Sequence, residues 1–345
     1  MSRRRAFAIC LASCLLLGGC EPEPAAHRSA SRNRAAWKRA RVELAFGAFS
    51  ATREVFDAQL MPDFAKLRRQ QGQQITFTKV YAGSEVLTDT IASGFAADVA
   101  LFAHSRDIES LVAAGLVRET WRDAPKGGIV CRSIVVLAVR KGNPKAIRDW
   151  SDLSRPGLAI VTPDPGSSGG GIWNLCAVYG AALRGHAGVA AEDLAAREFL
   201  TRVEANVVER RASASDSFRA FLAGTGDVAI TYESEVALAW LFGHEVERVV
   251  PSSTVLVESP AALIDRNVDA HGVRAEAQAF FEYLWTTEAQ KKLAYCGFRP
   301  VDDAVAAANR SQFPQPKDLW TIEYLGGWDD AVRAVRASPP AQPPK

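Results

Sequence analysis

Short apolar segments rich in β-branched residues alternate with longer amphipathic segments along most of this chain. This alternation is typical of an α/β fold with a largely parallel sheet. The strand-like segments lie at residues 42–46, 75–80, 98–101, 133–139, 158–161 and 228–232. The helix-like segments lie at residues 52–71, 85–93, 105–114, 169–183, 192–203, 218–223 and 275–286. Aromatic residues in the last of these have helical spacing, so we expect them in the core.

The two ends of the chain differ from this pattern. Three arginines precede a twelve-residue apolar stretch, which is too short for a spanning helix of roughly 20 residues and predicts a signal peptide over residues 1–19. The stretch closes with Leu17-Gly18-Gly19-Cys20, which resembles a bacterial lipobox and predicts lipidation at Cys20. An ordinary signal peptide that contains a cysteine is the alternative. Residues 20–40 and 337–345 have the composition of a flexible tether and a disordered tail.

The body of the chain is nearly neutral. The whole chain has a formal net charge of +2, and removing the three arginines of the signal peptide leaves −1. This balance gives no indication of a nucleic-acid partner. Three cysteines remain, Cys131, Cys176 and Cys296, each in apolar surroundings and without a Cys-x-x-Cys spacing. We expect buried free thiols and no metal site.

Its length predicts two domains. About 300 residues lie between the tails, which is more than one hydrophobic core usually organises. We expect one lobe from residues 41–128 and 236–336 and the other from residues 129–235. Two α/β units side by side leave a cleft between them.

One segment predicts an anion site. A strand at 158–161 is followed by a turn rich in proline and glycine, and then by a helix whose first residues are Ser168-Gly169-Gly170. Free N–H groups at a helix N-terminus bind anions, and glycines allow close approach. Neutral dipoles of this kind can hold a fully ionised oxyanion. The alternative is a helix cap with close packing.

Two further serines occupy comparable places. Ser50 follows the first strand and Ser84 follows the second, at the carboxyl ends where open α/β sheets bind ligands. Each alone could be a helix cap. Three strand ends with hydroxyl and amide donors, and no Lys or Arg beside them, favour a shared anion site.

From about residue 42 to residue 328 the sequence resembles the periplasmic sulfate- and thiosulfate-binding proteins. The matching stretches are Ala51-Thr-Arg-Glu54, Ala82-Gly83-Ser84, Val139-Arg-Lys-Gly-Asn-Pro-Lys145, Asp149-Trp-Ser-Asp-Leu153, 162–174, Gly226-Asp-Val-Ala-Ile-Thr-Tyr-Glu233, Phe298-Arg-Pro300 and Leu325-Gly-Gly-Trp328. The resemblance implies a two-lobed periplasmic-binding-protein-like fold of type II, with hinge strands and a ligand held in the cleft by hydrogen bonds only. We place the hinge near 129–135 and between 232 and 250.

The resemblance also implies a function. The chain would be a solute-binding lipoprotein that captures sulfate or thiosulfate for the permease of an ABC transporter. We expect it to be exported to the periplasmic or cell-surface side of a bacterial membrane and held there through the lipid anchor only. We further expect a monomer that is not an enzyme, needs no cofactor and binds no nucleic acid.

Carried over position by position, the resemblance assigns the ligand-binding residues. These are Ser50, Ser84, Ser168, Gly169, Gly170, Ser213 and Tyr232. Ser84 and Ser168 would supply hydroxyls, and Ser50 stands where the family usually has an aspartate that contributes its amide. Tyr232 stands at the family's tryptophan, and a phenol can replace the indole N–H as a donor. The loop around Ser213 lacks the family's arginine.

Glu85 departs most from the family, which usually has glycine there, and it is our candidate specificity residue. In one outcome its side chain turns outward at the start of a helix, where a negative charge is favourable, and the ligand is sulfate or thiosulfate. In the other it faces the cleft, and the site prefers a protonated oxyanion such as hydrogen phosphate.

Other classes of protein fit less well. Residues 166–170 satisfy the Gly-x-Ser-x-Gly pattern of serine hydrolases, and His186, His244 and His271 follow it. However, Pro163 and Pro165 lengthen the turn that such a nucleophile needs. The phosphate-binding motifs of nucleotide sites do not occur. A purely structural or adhesive lipoprotein is the remaining alternative.

Overall fold

A computed structural model describes residues 41–336 of the protein. The predictions for residues 1–40, including the signal peptide, Cys20 and the tether, lie outside the described residues, as does the predicted tail at 337–345. Within 41–336, no helix combines the length and hydropathy needed to cross a membrane.

Strands of the described region form one curled, mixed sheet. Its members are β1 (Arg41–Phe49), β2 (Gln74–Ala82), β3 (Val99–Leu101), β4 (Ile129–Arg140), β5 (Ile160–Pro163), β6 (Val207–Arg211), β7 (Val228–Tyr232), β8 (Val246–Val249), β9 (Ser253–Leu263), β10 (Arg299–Pro300) and β11 (Asp318–Trp320). The main order is β2-β1-β3-β9-β4-β7-β5-β6, with β8 and β10 paired to β4 and β11 paired to β9. The pairs β1–β2, β1–β3, β5–β6 and β5–β7 are parallel, as the alternating pattern predicts.

Helices connect these strands and cover the sheet. They are α1 (Arg53–Val55), α2 (Met61–Gln70), α3 (Ser84–Ala92), α4 (Ser105–Ala113), α5 (Gly169–Leu183), α6 (Asp193–Glu204), α7 (Ala214–Leu222), α8 (Glu233–Leu241), α9 (Asp265–His271), α10 (Arg274–Tyr283), α11 (Thr287–Tyr295), α12 (Asp303–Ala308) and α13 (Trp328–Arg336). Short 3-10 segments lie at Ser50–Thr52, Glu119–Asp123, Pro125–Gly128, Trp150–Ser154, Arg310–Gln312 and Ile322–Leu325.

The predicted helix over 52–71 differs from a regular helix. The structure has a 3-10 turn, then α1, a π-helical segment at Phe56–Leu60 and α2. Pro62 lies in the first turn of α2 and has no N–H to donate to the preceding turn. A wider π turn before such a residue is a common local accommodation.

Strand β4 links the two halves of the sheet. Its first half, from Ile129 to Ile134, pairs with β9, whereas Val135 to Val139 pairs with β7. The far end of β9 pairs with β3 in the first half. Strands β4 and β9 are therefore the hinge strands of a two-lobed α/β fold. The first agrees with the hinge predicted near 129–135, whereas β9 begins beyond the second predicted range, 232–250, because the chain first adds β8 to the second half of β4.

The core explains why these elements form. Val135, Val136 and Leu137 are all fully buried, so β4 is covered on both faces, as a continuous apolar run predicts. Phe280 of α10 packs on Phe46 and Phe64, which confirms the core role predicted for that aromatic helix. The three cysteines of the body are free and buried, as expected.

Candidate functional site

Three helix N-termini approach one another at the carboxyl ends of strands. Helix α3 follows β2, α5 follows β5 and α7 follows β6. Strands β5 and β6 are parallel, so their carboxyl ends lie together. The start of α3 meets them from the other half of the sheet, where a Cβ on Gly83 would lie 2.6 Å from the carbonyl oxygen of Ala212. The structure therefore brings the loops that carry the predicted serines together.

The start of α5 fits closely into its surroundings. Ser168 is the N-cap residue, is 2% exposed and makes no capping hydrogen bond. Among residues 41–336, the amides of Gly169 and Gly170 donate to no backbone carbonyl. A Cβ placed on Gly169 would lie 2.7 Å from the Cβ of Ala103. Glycine is required here because a neighbouring loop touches the helix start.

Two hydroxyl groups converge on Gly170. A Cβ at that position would lie 3.3 Å from both the Ser168 Oγ and the Tyr232 Oη. Tyr232 is 2% exposed, and its hydroxyl has no hydrogen-bond partner among the described residues. Burial, reinforced by the charge of Glu85, raises the pKa of Tyr232 well above its usual value. The phenol stays protonated, so it is an unused donor beside two free amides.

Ser50 and Ser213 lie on the third side of this region. The Ser50 Oγ is 3.4 Å from the amide N of Ser215. A Cβ on Gly170 would also contact the side chain of Ala214, at the start of α7. Ser213 caps α7, and its hydroxyl donates to Asp216 Oδ2 at 2.6 Å. The hydroxyl of Ser213 is therefore already used, which leaves its backbone as the group that could face a ligand.

Ser84 is placed with the others but is also engaged. It is 1% exposed, and its Oγ accepts the Ala103 N–H at 2.9 Å. Its hydroxyl donates to Asp107 Oδ2 at 2.5 Å. The single proton of the hydroxyl thus points to a carboxylate in this structure.

Glu85 lies in the first turn of α3, as expected, but its side chain does not turn into solvent, so the outward direction expected for it is wrong. Its side chain is 16% exposed, and Oε1 lies 3.1 Å from the Nε2 of the fully buried His104. Its Oε2 is buried and has no partner among the described residues. A carboxylate at the start of α3 satisfies the helix dipole, but the imidazole of a neighbouring loop draws it inward.

His104 and Asp107 were missed by the sequence analysis. The Nδ1 of His104 lies 3.1 Å from Asp107 Oδ2, at ion-pair distance but without hydrogen-bond geometry. The His104 ring packs on Trp328, and Trp173 donates to the carbonyl of Ala103. Their place in the sequence could have indicated them, because His104 follows the carboxyl end of β3 just as Ser84 follows the carboxyl end of β2.

Charge in this cluster is only partly compensated, because one histidine faces two carboxylates. Burial acts to lower the pKa of His104, but Asp107 and Glu85 outweigh it and raise that pKa above its ordinary value. Burial raises the pKa of Asp107 to about 6, although His104 acts to lower it. An imidazolium between two carboxylates is the arrangement that these contacts favour.

Glu85, His104 and Asp107 also bring one ligand atom each within 4.8 Å of one another. Three such groups are a minimal set for a metal ion. Here each ring nitrogen already faces a carboxylate, and Asp107 accepts from Ser84. We therefore treat the group as an ion-pair cluster and assign no metal to it.

A separate cavity lies beside the donor groups. It has a volume of about 430 Å³, and Ser50, Gly83, Ser213, Arg219 and Glu235 are among its lining residues. Ser84, Ser168 and Tyr232 do not line it and are buried. These three side chains are therefore enclosed next to the cavity and not exposed to it.

The histidines considered for a hydrolase lie elsewhere. His186 contacts Ser252, and His271 contacts Asp98. His244 lines the separate cavity. No histidine of that set is hydrogen-bonded to Ser168 in the described part of the chain.

Comparison with known proteins gives one consistent result. Residues 48–299 match a family model described as bacterial extracellular solute-binding protein. A sulfate-binding protein of Synechococcus elongatus is 34% identical over 83% of this chain and 81% of its own length. The corresponding protein of Escherichia coli is 33% identical over 85% and 89%. A thiosulfate-binding protein of Pseudomonas aeruginosa is 31% identical over 79% and 83%.

Solved structures agree with the sequence relatives. The sulfate-binding protein SubI of Mycobacterium tuberculosis has a TM-score of 0.76 and 35% identity, over 85% of this chain and 98% of its own. A periplasmic thiamin binding protein matches with a TM-score of 0.63 at 17% identity, over 86% of this chain and 96% of its own. The second match supports the fold alone.

Proposed function

This chain belongs to the sulfate- and thiosulfate-binding proteins, a family of bacterial extracellular solute-binding proteins, and we propose that the ligand it captures is sulfate or thiosulfate. It is a solute-binding protein of an ABC transporter and not an enzyme.

The unused hydroxyl of Tyr232 carries the ligand proposal. A buried donor without a partner costs roughly 1–3 kcal/mol, so a site that keeps one gains when an acceptor fills it. The Ser168 hydroxyl and the amides of Gly169 and Gly170 surround the same point. None of these four donors is charged, and each can point to an oxygen of a tetrahedral anion.

We propose that the anion is enclosed between two lobes with the divisions expected from the sequence. One adjustment follows from packing: α8 and β8 contact the second half of β4, which favours ending the second lobe near residue 250 instead of 235. Lipidation at Cys20 would hold this monomeric protein at the outer face of a bacterial membrane, within reach of its permease.

A protonated oxyanion such as hydrogen phosphate is the second candidate. The inward orientation of Glu85 favours a protonated ligand, because the free Oε2 can accept a hydrogen bond from an O–H group of that ligand. Sulfate stays first because Glu85 is paired to His104, which reduces its repulsion of a dianion.

Calorimetric titration at neutral pH with sulfate, thiosulfate, phosphate, molybdate and selenate tests the proposal. We expect sulfate or thiosulfate to bind most tightly. Preference for phosphate that Glu85→Gln reverses would establish the second candidate instead. Absence of heat and of a thermal shift with every anion would favour a structural lipoprotein.

A further inference from the structure

The hydrogen bonds of Ser84 are inconsistent with its role as an anion donor while Asp107 is ionised. A serine hydroxyl has one proton and two acceptor sites. The Ala103 N–H occupies one acceptor site, and the proton is donated to Asp107 Oδ2. In that state Ser84 can present only a lone pair to an anion, which is repulsive.

A proton on Asp107 would reverse this arrangement. The protonated carboxyl becomes a donor to the Ser84 Oγ, which then accepts from both Asp107 and Ala103 and has its own proton free. Only the hydroxyl torsion changes, and no heavy atom has to move. We propose that capture of a fully ionised oxyanion is linked to uptake of one proton from solvent by Asp107, which turns the Ser84 hydroxyl toward the anion. Asp107 is thus a positioning residue that acts through Ser84, and the inference rests on the proposed function.

The switch lies directly against the anion site. A Cβ on Gly169 would lie 2.7 Å from Ala103 Cβ and 3.2 Å from His104 Nε2. Ala103 is the residue whose amide donates to Ser84. A dianion at the free amides of α5 therefore lies beside the Asp107 cluster and favours its protonated form.

The groups around Asp107 set the pH at which it takes up a proton. Glu85 and Thr88 face it from α3, and His104 faces it from the preceding loop. Tyr232 lies within electrostatic range of Asp107, and Arg106 acts on His104. Burial raises the pKa of Asp107 to about 6 before any anion is present, while His104 acts to lower it. The negative charge of a bound anion shifts the equilibrium further toward protonated Asp107.

The sign of the pH dependence follows. Below about pH 6 Asp107 is already protonated in the free protein, so affinity is high and changes little. Above that pH each binding event must take up a proton, and Kd rises by up to about tenfold per pH unit. The rise ends where Asp107 is ionised even in the complex.

Titration calorimetry with sodium sulfate, which stays fully ionised, measures the proton directly. Runs at about pH 5.5, 6.5 and 7.5 in two buffers of different ionisation enthalpy give the number of protons taken up. We expect this number to approach one at the highest pH for the unmodified protein. In Asp107→Asn the amide N–H donates to Ser84 permanently, so proton uptake and the pH dependence of Kd should disappear while binding stays tight. Ser84→Ala should bind weakly at every pH.

Glu235→Gln is the matched control. Glu235 is another buried carboxylate near the cleft; it accepts from Ser215 at 2.7 Å, and burial raises its pKa to about 7. Proton uptake should persist in this variant. Uptake that persists in Asp107→Asn would overturn the inference, whatever the result for Glu235→Gln, as would tight sulfate binding without uptake in the unmodified protein. That last result would leave the proposed function intact, whereas failure of all five anions to bind would overturn both.

Discussion

Gly83 packs against the carbonyl oxygen of Ser167 so closely that a Cβ on Gly83 would overlap it. The same Cβ would lie 2.6 Å from the carbonyl oxygen of Ala212. Gly83 has a φ of −62°, which any residue can adopt, so space and not conformation requires glycine here. The three residues precede α3, α5 and α7, so this contact sets how closely the helix N-termini approach.

Gly83→Ala should weaken sulfate binding at least tenfold, about 1.4 kcal/mol, because the methyl group keeps the two lobes apart. Calorimetry measures the affinity, and small-angle scattering should lose the compaction that ligand causes in the unmodified protein. Gly94→Ala, at the other end of α3, has open space but a φ of +117°, so it should lower the melting temperature without changing affinity. Normal affinity in Gly83→Ala would contradict closure at this contact.

Tyr232→Phe should have opposite effects on binding and on stability. Loss of a donor to a charged ligand weakens binding by about 1.5–3 kcal/mol. The free protein should be as stable as before or more so, because a buried hydroxyl without a partner is removed. Tyr283→Phe is matched, since its hydroxyl is also buried without a partner among the described residues but packs beside Phe64. It should leave affinity unchanged; equal affinity losses in both variants would contradict the assignment.

Ser168→Ala should weaken binding by about 1.5–3 kcal/mol, as expected for a hydrogen bond to a charged group. The effect on folding should be small because the Ser168 side chain makes no capping hydrogen bond. Ser154→Ala, a half-buried serine on the same predicted lobe whose hydroxyl donates only to the carbonyl of Ser151, is the control and should bind normally. Calorimetry with sulfate distinguishes them, and normal binding by both variants would move the anion away from α5.

Much of this arrangement could be predicted from local sequence. The bounds of α5 and β7 agree with their predicted ranges, because glycine turns and β-branched runs act over a few residues. Membership of the family was predicted from spaced motifs and is confirmed. The direction of the Glu85 side chain could not be predicted. It depends on His104, which lies nineteen residues further on and meets it only when α3 and β3 pack.

Cys20→Ser should release the protein from membranes into the soluble fraction, because the predicted thioether to lipid cannot form on serine. Residue 20 lies outside the described region, so this prediction rests on the Leu-Gly-Gly-Cys sequence. Fractionation of cells, with the mass of the N-terminal peptide, checks it. A serine variant that still partitions with membranes would place the anchor elsewhere.

Glu233 joins the site to the remainder of the fold through a buried ion-pair network. It is 0% exposed, follows Tyr232, and accepts from Arg299 at 2.7 Å and from Arg248 at 2.9 Å. Glu233→Gln would leave two guanidinium groups without a counter-charge, and breaking such a buried pair costs about 3–5 kcal/mol. Urea unfolding should show this loss. Glu288→Gln removes an exposed partner of Lys291 and should leave the unfolding free energy nearly unchanged. If Glu233→Gln lowers the unfolding free energy as little as Glu288→Gln does, the network contributes little to stability. Tyr232 must then be positioned by the packing of β7 alone.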